Sequence, residues 1–434
     1  MMDTQILTCV GPGTPAGELF RQYWVPVVMS SELEPGGTPL RVKLLGEELV
    51  AFRTNSGVTG LMDHRCPHRC ASLFYGRNEE EGLRCIYHGW KFAADGRCLD
   101  TPNLPSHQSV KDKVHIKAYP TTERVGVVWA YMGKRAAPPP FPDLPIFRMP
   151  QSRISTWCMQ RECNYLQALE GDLDTSHAGF LHTGTNPRDL PVDAPRNTPE
   201  LLGIVNRTPE FKVIDTPYGV MAGAHRPAEE GQTYWRFTQF MFPFFSQVPP
   251  CPLGSEALLR AWVPMDDAHT MYFSITTDTF SISRSPHATK RPVAQRGLTY
   301  DYEFLPNTTD WHGRWRLKAS RGNDHMIDRA VQRSESYSGI EGLDIQDTAI
   351  TESMGLIVDH DNEMLVASDL LVARMRHRLL AAAESLQTQG TAPPALDDPA
   401  CCRDVWSGYV IAPRDMDFLE VYGKHIPRTT HRAA

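Results

Sequence analysis

Two cysteines and two histidines lie in a pair of short segments and could together hold a metal centre. The ligand pattern is Cys66-x-His68, sixteen residues, then Cys85-x-x-His88. Two thiolates and two imidazoles can bind a tetrahedral zinc ion, or a [2Fe–2S] cluster with the cysteines on one iron and the histidines on the other. Structural zinc commonly takes cysteine pairs and histidine pairs from separate blocks, whereas each block here supplies one of each. The spacing therefore favours the cluster, with zinc as the alternative.

A second group of potential ligands, Asp174-x-x-His177-x-x-x-x-His182, follows further along the chain. On a helix, a spacing of three residues keeps Asp174 beside His177, and a spacing of five brings His182 near that face if the helix loosens at Gly179. Two histidines and a carboxylate form the facial triad that leaves open positions on Fe(II) for O₂ and substrate. The alternative is a polar helix face whose histidines have ordinary hydrogen-bond partners.

The first group of ligands needs a scaffold of strands. Residues 38–60 alternate apolar and polar around a turn at 54–57, which predicts strand, turn, strand, and residues 124–133 predict another strand. Six of the sixteen residues of segment 135–150 are proline. Neither helix nor sheet accommodates so many prolines, so this segment is predicted to be a linker.

The pattern changes after the linker. Residues 161–183 predict a helix whose apolar positions recur with a broadly helical period, namely Leu166, Leu169, Leu173 and Phe180. Three later segments are rich in aromatic and β-branched residues and predict an antiparallel sheet, namely 213–224, 232–248 and 256–279. Near the end, Ser368 and Asp369 could cap a helix that extends to about Gln389, followed by a loop at 391–400.

The predicted fold class is α+β, with an all-β domain in front of a larger domain that combines an antiparallel sheet with helices. The predicted boundaries are an N-terminal segment at 1–37 that packs with the larger domain, the β domain at 38–134, the linker at 135–150 and the larger domain at 151–434. Ten cysteines in 434 residues are too sparse for a disulfide framework.

Composition narrows the class of partner. The formal net charge of −7 argues against nucleic-acid binding, which would leave a basic footprint. No stretch approaches the roughly 20 uninterrupted apolar residues of a membrane span, and the first residues lack the pattern of a signal peptide. A cytoplasmic location is the resulting expectation.

The residues CPHR and CIYHGWKF at 66–69 and 85–92 resemble a Rieske domain. The order of Rieske motif, proline-rich linker and DxxHxxxxH is similar to the large subunit of Rieske non-haem iron ring-hydroxylating oxygenases, over nearly the whole chain. The segments GPGTPAGELFRQYWVPV and GLDIQDTAITESMGLIVD resemble the phthalate dioxygenase branch of that family. Related enzymes often have glycine where this chain has Cys70. Its thiol is not expected to be a ligand, but it could crowd or hydrogen-bond the cluster.

The resemblance implies a set of iron ligands. Cys66 and Cys85 would hold one iron of the cluster, and His68 and His88 the other. The mononuclear Fe(II) would be held by two histidines and a carboxylate well downstream.

Those ligands would be His177, His182 and Asp347, with Asp344 and Glu352 as weaker candidates for the carboxylate. In the family, the aspartate matching Asp174 bridges a cluster histidine of one subunit to an iron histidine of the next. The pair here would be His88 and His177, and a head-to-tail homotrimer, or a hexamer of two trimers, would follow.

The implied activity is that of a terminal oxygenase. A separate flavin and iron–sulfur reductase would pass electrons from NADH singly to the cluster, and O₂ would hydroxylate an aromatic acid. A carboxylate substrate needs a buried cation, preferably arginine, so the candidate substrate residues are Arg207, Arg226 and Arg236, with the Ser176 hydroxyl as a further donor. A monooxygenase of the O-demethylase type, and an electron carrier with an inactive second domain, remain as alternatives.

Overall fold

The computed structural model describes residues 5–183, 198–278 and 302–427. The first four residues of the predicted N-terminal segment, the last residue of the sheet segment predicted at 256–279 and the last seven residues of the predicted larger domain lie outside these ranges. Within the described residues, all paired strands are antiparallel. The α+β fold class predicted from the sequence is confirmed.

The described strands fall into four sheets. They are β1 Trp24–Met29, β2 Leu40–Leu44, β3 Glu47–Arg53, β4 Thr59–Asp63, β5 Arg77–Glu79, β6 Gly82–Arg84, β7 Lys91–Phe92, β8 Cys98–Asp100, β9 Ala118–Tyr119, β10 Thr121–Arg124, β11 Val127–Tyr131, β12 Ile154–Arg161, β13 Glu210–Thr216, β14 Gly219–Pro227, β15 Gln232–Met241, β16 Phe245–Gln247, β17 Leu258–Pro264, β18 Thr270–Thr277 and β19 Gly408–Pro413. The described α-helices are α1 Gln5–Thr8, α2 Pro15–Phe20, α3 Tyr165–Leu173, α4 Pro199–Val205, α5 Arg329–Ser334, α6 Leu343–Ser353, α7 Leu370–Gln389 and α8 Phe418–His425.

Two four-stranded sheets carry the first group of predicted ligands, with strand orders β2-β3-β4-β9 and β5-β6-β7-β8. The turn predicted at 54–57 is present between β3 and β4, but a second turn at Leu45–Gly46 divides the predicted first strand. Both residues of this second turn have positive φ, +47° and +77°. A leucine in that conformation gives no turn signal in the sequence, which explains the error.

These two sheets have a hydrophobic core of their own. Buried side chains from β3, β4, β6 and β7 pack around Cys66 and Cys85, and they include Val50, Phe52, Met62, Leu83 and Phe92. The second ligand group lies in the larger domain, against a separate core. Each predicted metal centre therefore rests on its own packed scaffold.

The N-terminal residues contact both parts of the chain. Strand β1 pairs with β11 in a three-stranded sheet that also contains β10, while α1 and α2 pack against α7. The buried Arg21 donates to the carbonyl of Leu45 at 2.7 Å and forms an ion pair with Glu47 at 3.1 Å. Because the N-terminal residues contact both parts of the chain, these contacts do not define a domain boundary. The domain boundaries given above stay a prediction. Segment 135–150 contains a single short 3₁₀-helix, Pro145–Arg148.

The larger domain is built on an eight-stranded sheet of order β12-β18-β17-β16-β15-β14-β13, with β19 paired to β15. Segment 213–224, predicted to belong to an antiparallel sheet, spans the hairpin of β13 and β14. Helix α7 packs against β13 and β14, and α3 packs against β15, β16 and β17. The helix predicted near the C-terminus is present as α7.

The helix predicted over 161–183 is wrong at both ends. Residue 161 is the last residue of β12, and α3 begins only after Asn164, whose side chain accepts a hydrogen bond from the N–H of Leu166. Helix α3 ends at Leu173, before the first predicted ligand. The apolar period of the sequence continues past Leu173. The helix nevertheless ends there, because the polar residues that follow form hydrogen bonds with their own backbone, as Asp174 does with the N–H of Ser176.

Candidate metal centres

The two segments that carry Cys66 and Cys85 form loops with the same backbone geometry. The N–H of Cys70 donates to the carbonyl of Cys66 at 2.8 Å, and the N–H of Gly89 donates to the carbonyl of Cys85 at 2.9 Å. Cys70 and Gly89 both have positive φ, +57° and +78°. Related enzymes often have glycine at the position of Cys70. The backbone at this position adopts the left-handed conformation, which glycine favours.

The four side chains of these loops separate into two pairs. Cys66 and Cys85 are buried, and burial together with the adjacent Cys85 raises the pKa of the Cys66 thiol to about 11. The rings of His68 and His88 have centroids 4.5 Å apart and lie closer to the surface, where His68 stacks on Trp90. The two thiols are therefore paired in the interior of the domain, and the two imidazoles are paired nearer its surface.

This separation bears on the choice between zinc and a cluster. Around tetrahedral zinc, ligand atoms lie about 3–4 Å from one another, since the bonds are about 2.0–2.3 Å long. Although all four residues are described, no three of them form a group whose ligand atoms lie within 4.8 Å of one another. Two iron ions, one at each pair, fit this arrangement better than one zinc ion does.

The backbone at Cys70 gives a testable prediction. A side chain in the left-handed region costs about 1 kcal/mol relative to glycine, and this thiol is exposed. We expect Cys70→Gly to keep the visible spectrum of the cluster and to raise the free energy of unfolding by about 1 kcal/mol, measured by thermal denaturation. Cys70→Val should lower it. Bleaching of the cluster in Cys70→Gly would instead show that the thiol supports it.

The second ligand group forms where α3 ends. Asp174 is the residue that caps the C-terminus of α3, His177 lies in a 3₁₀ turn at His177–Gly179, and His182 follows in the next turn. The third member, Asp347, comes from α6 and is buried. The Nε2 atoms of the two histidines are 3.0 Å apart, and Asp347 Oδ1 lies 3.5 Å from His177 Nε2 and 3.0 Å from His182 Nε2.

These distances fit one metal ion. Three ligand atoms on one face of an octahedron lie about 3 Å from one another when each bond is about 2.1 Å long. The two rings are inclined by 76°, so both can direct Nε2 towards the same point. The donor set is that of the facial triad.

Oxygen atoms behind the two rings face the Nδ1 atoms, so that both Nε2 atoms face the proposed metal position. His182 Nδ1 lies 2.8 Å from Gln346 Oε1, and His177 Nδ1 lies 3.6 Å from Asp174 Oδ2. The bond to Gln346 holds the ring proton of His182 on Nδ1, so the Nε2 of His182 presents a lone pair, whereas Asp174 faces His177 from beyond hydrogen-bond distance. The lone pair of His182 and the carboxylate of Asp347, 3.0 Å apart, repel one another unless a cation lies between them.

The charges around this point also favour a cation. Burial raises the pKa of Asp347, but the neighbouring His182 and His177 outweigh it and hold the pKa below its usual range. Burial likewise lowers the pKa of His177, but Asp174 and Asp347 outweigh it and raise the pKa. The carboxylates are therefore ionised at neutral pH.

Two other groups of acids and histidines come together in the described residues, Asp266 with His269 and His312, and Glu170 with His360 and Glu363. The rings of His269 and His312 are stacked at 4.0 Å and inclined by only 26°, so one ion cannot lie in both ring planes. Glu170 and Glu363 are already neutralised by Arg376, which donates to both. Neither group resembles the geometry at His177 and His182.

The alternative carboxylates lie elsewhere. Asp344 is fully buried and accepts a hydrogen bond from Tyr302. Glu352 bonds to His325 at 2.9 Å. Of the three carboxylates considered from the sequence, Asp347 is the one that lies beside the histidines.

Two of the predicted substrate residues, Ser176 and Arg236, lie in or against the loop that follows α3. The hydroxyl and N–H of Ser176 both donate to Asp174 Oδ1, at 2.6 and 2.7 Å, so the hydroxyl proton already has an acceptor. Arg236 donates through Nε to the hydroxyl of Thr175 at 2.9 Å, which places its guanidinium beside this loop. The predicted substrate role of Ser176 stays a prediction.

Arg226 and Arg207 are the other two candidate substrate arginines. Arg226 is 3% exposed, its Nε has no partner among the described residues, and burial together with Arg236 lowers the pKa of Arg226 to about 10. Arg207 lies over the ring of Phe180 at 4.3 Å, and its Nε and Nη2 also lack partners within the described ranges. No carboxylate within those ranges forms an ion pair with any of the three arginines.

Sequence reasoning missed Gln346 as a functional residue. It precedes Asp347 on α6 and is 1% exposed. The available signal was weak, namely a polar residue on a helix that buries most of its polar side chains.

Comparison with known proteins agrees with this geometry. A Rieske [2Fe–2S] domain matches residues 23–120, and a LigXa C-terminal domain-like family matches residues 130–431. The two domains define the class as Rieske non-haem iron oxygenases.

Two curated relatives match over almost their whole length. The 3-chlorobenzoate-3,4-dioxygenase oxygenase subunit of Comamonas testosteroni is 43% identical over 98% of both chains. The phthalate 4,5-dioxygenase oxygenase subunit of Pseudomonas putida is 33% identical over 98% of this chain and 95% of its own. The protein belongs to the family of Rieske ring-hydroxylating oxygenase alpha subunits.

The fold is shared with more distant oxygenases. The crystal structure of dicamba monooxygenase bound to 3,6-dichlorosalicylic acid superimposes with a TM-score of 0.56 at 17% identity, over 85% of this chain and 99% of that one. Among the helices described here, none has the length and apolar character needed to cross a membrane.

Proposed function

We propose that this chain is the terminal oxygenase of a multicomponent system that hydroxylates an aromatic acid with O₂. Electrons would come from NADH through a separate flavin and iron–sulfur reductase, in the cytoplasm. The observation that carries the proposal is the convergence of His177, His182 and Asp347 in a chain that also contains a Rieske domain.

The residues divide the work between two centres. Cys66 and Cys85, with His68 and His88, would hold a cluster that accepts and passes on single electrons. Fe(II) held by the facial triad would supply open positions for O₂ and substrate. The protein itself orients the ligand rings, and the bond to Gln346 keeps the Nε2 of His182 free of a proton.

The electron path between the centres is proposed to cross a subunit boundary. Among the described residues, none of the polar contacts of Asp174 or His177 involves the Rieske domain. The loop that carries His88 instead presents Ile86 and Tyr87 to solvent, 62% and 55% exposed.

Asp174 is also open to a partner, since its side chain is 27% exposed. A carboxylate that accepts from an imidazole N–H on each side joins two rings by short contacts. We propose that Asp174 of one subunit accepts from His88 of the next, in a head-to-tail homotrimer or a hexamer of two trimers.

The substrate class follows from two of the candidate arginines. Arg226 and Arg236 lie on adjacent strands, and their side chains are on the same face of the sheet. Neither guanidinium has an acidic partner within the described ranges. A buried cation without a counter-ion is costly unless a ligand supplies the charge. Relatives named for 3-chlorobenzoate and phthalate, both aromatic acids, support a carboxylate substrate.

Arg226→Met tests this assignment. Losing a charge-assisted hydrogen bond is expected to raise KM for an aromatic acid by about 10- to 100-fold, while the melting temperature holds or rises because an unpaired buried charge is removed. Arg374→Met is a control, since that arginine pairs with Asp215 at the surface. An unchanged KM in Arg226→Met would contradict the assignment.

The overall proposal is tested by O₂ uptake with a surrogate reductase, NADH and a panel of substituted benzoates and phthalates. Stimulation by acids, but not by their amides, is the expected result. Uptake that no aromatic acid stimulates would contradict the proposal. Labelled O₂ separates dihydroxylation from a monooxygenase of the O-demethylase type, because a cis-diol carries two labelled atoms.

A further inference from the structure

The two nitrogens of the His182 imidazole face consecutive residues of one helix. Its Nε2 lies 3.0 Å from Asp347 Oδ1, and its Nδ1 lies 2.8 Å from Gln346 Oε1. The Gln346 side chain is 1% exposed. The orientation of this ring is therefore determined by α6 as much as by the loop to which His182 belongs.

The orientation of the Gln346 amide is itself fixed. Its Nε2 donates to the carbonyl of Ile340 at 2.7 Å, in the segment that leads into α6. A reversed amide would set its oxygen against that carbonyl and leave a buried acceptor unpaired, at a cost of about 1–3 kcal/mol. The oxygen must therefore face His182, and the ring proton must lie on Nδ1.

The second histidine of the site is held differently. His177 faces a carboxylate, Asp174, through Nδ1. A carboxylate partner adds negative charge to the site, whereas the amide of Gln346 orients His182 without adding any. The partner of His177 is thus a charged carboxylate, and the partner of His182 is a neutral amide. His177 lies on the proposed electron path, whereas the proposed role of His182 is only to hold the metal.

We propose that Gln346 is a positioning residue that fixes the tautomer and orientation of His182 for iron binding. The proposal rests on the proposed iron site and goes beyond it, because it concerns a residue that does not touch the metal. The backbone carbonyl of Ile340 fixes the orientation of the Gln346 amide, and this amide fixes the orientation of the His182 imidazole. The imidazole then presents the lone pair of Nε2 to the iron.

The test measures Fe(II) affinity in protein whose cluster is intact and whose mononuclear iron has been removed by a chelator. Gln346→Leu should weaken Fe(II) binding by about 10- to 100-fold and leave the Rieske EPR signal unchanged. Gln346→Glu should restore most of the affinity, because a buried protonated carboxyl can donate to Ile340 and accept from His182.

A matched control is Gln167→Leu. Gln167 is also buried, and its amide donates to the carbonyls of Thr351 and Gly355, both at 2.8 Å, so it ties α3 to the end of α6 without contacting a proposed ligand. This variant should lose stability and keep native Fe(II) affinity.

A spectroscopic readout separates positioning from general stability. The EPR signal of the Fe(II) site treated with nitric oxide depends on ligand orientation, so its rhombicity should change in Gln346→Leu and not in Gln167→Leu. Equal affinity and an unchanged signal in Gln346→Leu would overturn the role of Gln346 alone. Failure of the native chain to bind iron beyond the cluster would overturn the proposed function, and the role of Gln346 with it.

Discussion

Replacing His182 by alanine is expected to remove one iron per chain and to lower turnover by about 10³-fold or more, equivalent to about 4 kcal/mol of lost barrier reduction. The Nε2 of His182 lies 3.0 Å from both other proposed ligand atoms. The substitution therefore removes one of the three protein ligands of the proposed iron. The cluster should be unaffected, because its loops have a separate core. Iron analysis and the visible spectrum of the same sample measure both effects.

The matched control for this variant is His269→Ala. His269 also pairs with an aspartate of the larger domain, Asp266 at 2.9 Å, but its geometry does not suit a metal ion. It should keep native iron content. Loss of cluster colour in His182→Ala, with iron otherwise retained, would show that the two centres have been assigned to the wrong residues.

Asp174→Asn is the second variant with a large expected effect. Both metals should remain bound, since the three ligands and four cluster residues are unchanged and an amide oxygen can still accept from His177. Coupled turnover should fall by about 10²-fold or more, because one neutral amide cannot accept strongly from imidazoles on both sides. Stopped-flow reoxidation of the reduced cluster by O₂, with substrate present, measures this directly.

Ser176→Ala is the control for Asp174→Asn. It removes the hydroxyl that donates to Asp174 Oδ1 and keeps the carboxylate and its bond from the Ser176 N–H. We expect only a small change in the reoxidation rate. A near-native rate in Asp174→Asn would exclude the bridging role.

Subunit mixing distinguishes a path between subunits from one within a subunit. Co-expression of Cys85→Ser, which lacks the cluster, with His182→Ala, which lacks the mononuclear iron, places an intact cluster beside an intact iron site at some subunit contacts. Each variant alone should be inactive, and the mixed assembly should recover part of the activity. No recovery in assemblies shown to contain both chains would contradict the head-to-tail path.

Local spacing predicted which neighbouring side chains come together in each candidate metal centre. The pattern Cys66-x-His68 and Cys85-x-x-His88 lies on two tight loops, so neighbours in sequence are neighbours in space. The same reasoning placed Asp174 beside His177 correctly but for the wrong reason. The residues lie in a capped helix end and a 3₁₀ turn, and the apolar period that suggested a long helix gave no sign of where α3 stops.

Contacts between distant elements were harder to predict. Asp347 could be proposed only from a family resemblance, because nothing in the local pattern separates it from Asp344. In the folded chain these two carboxylates, three residues apart on α6, have different partners, His182 and Tyr302. Gln346 was missed for the same reason, since its role depends on a ring more than 160 positions away.

The most direct test of the account is the ratio of iron to acid-labile sulfide in protein reconstituted under anaerobic conditions. Three irons per two sulfides are predicted, with one iron removed by a chelator while the Rieske EPR signal persists. Two irons per two sulfides, with no further Fe(II) retained at His177 and His182, would leave an electron carrier and contradict the assignment as an oxygenase.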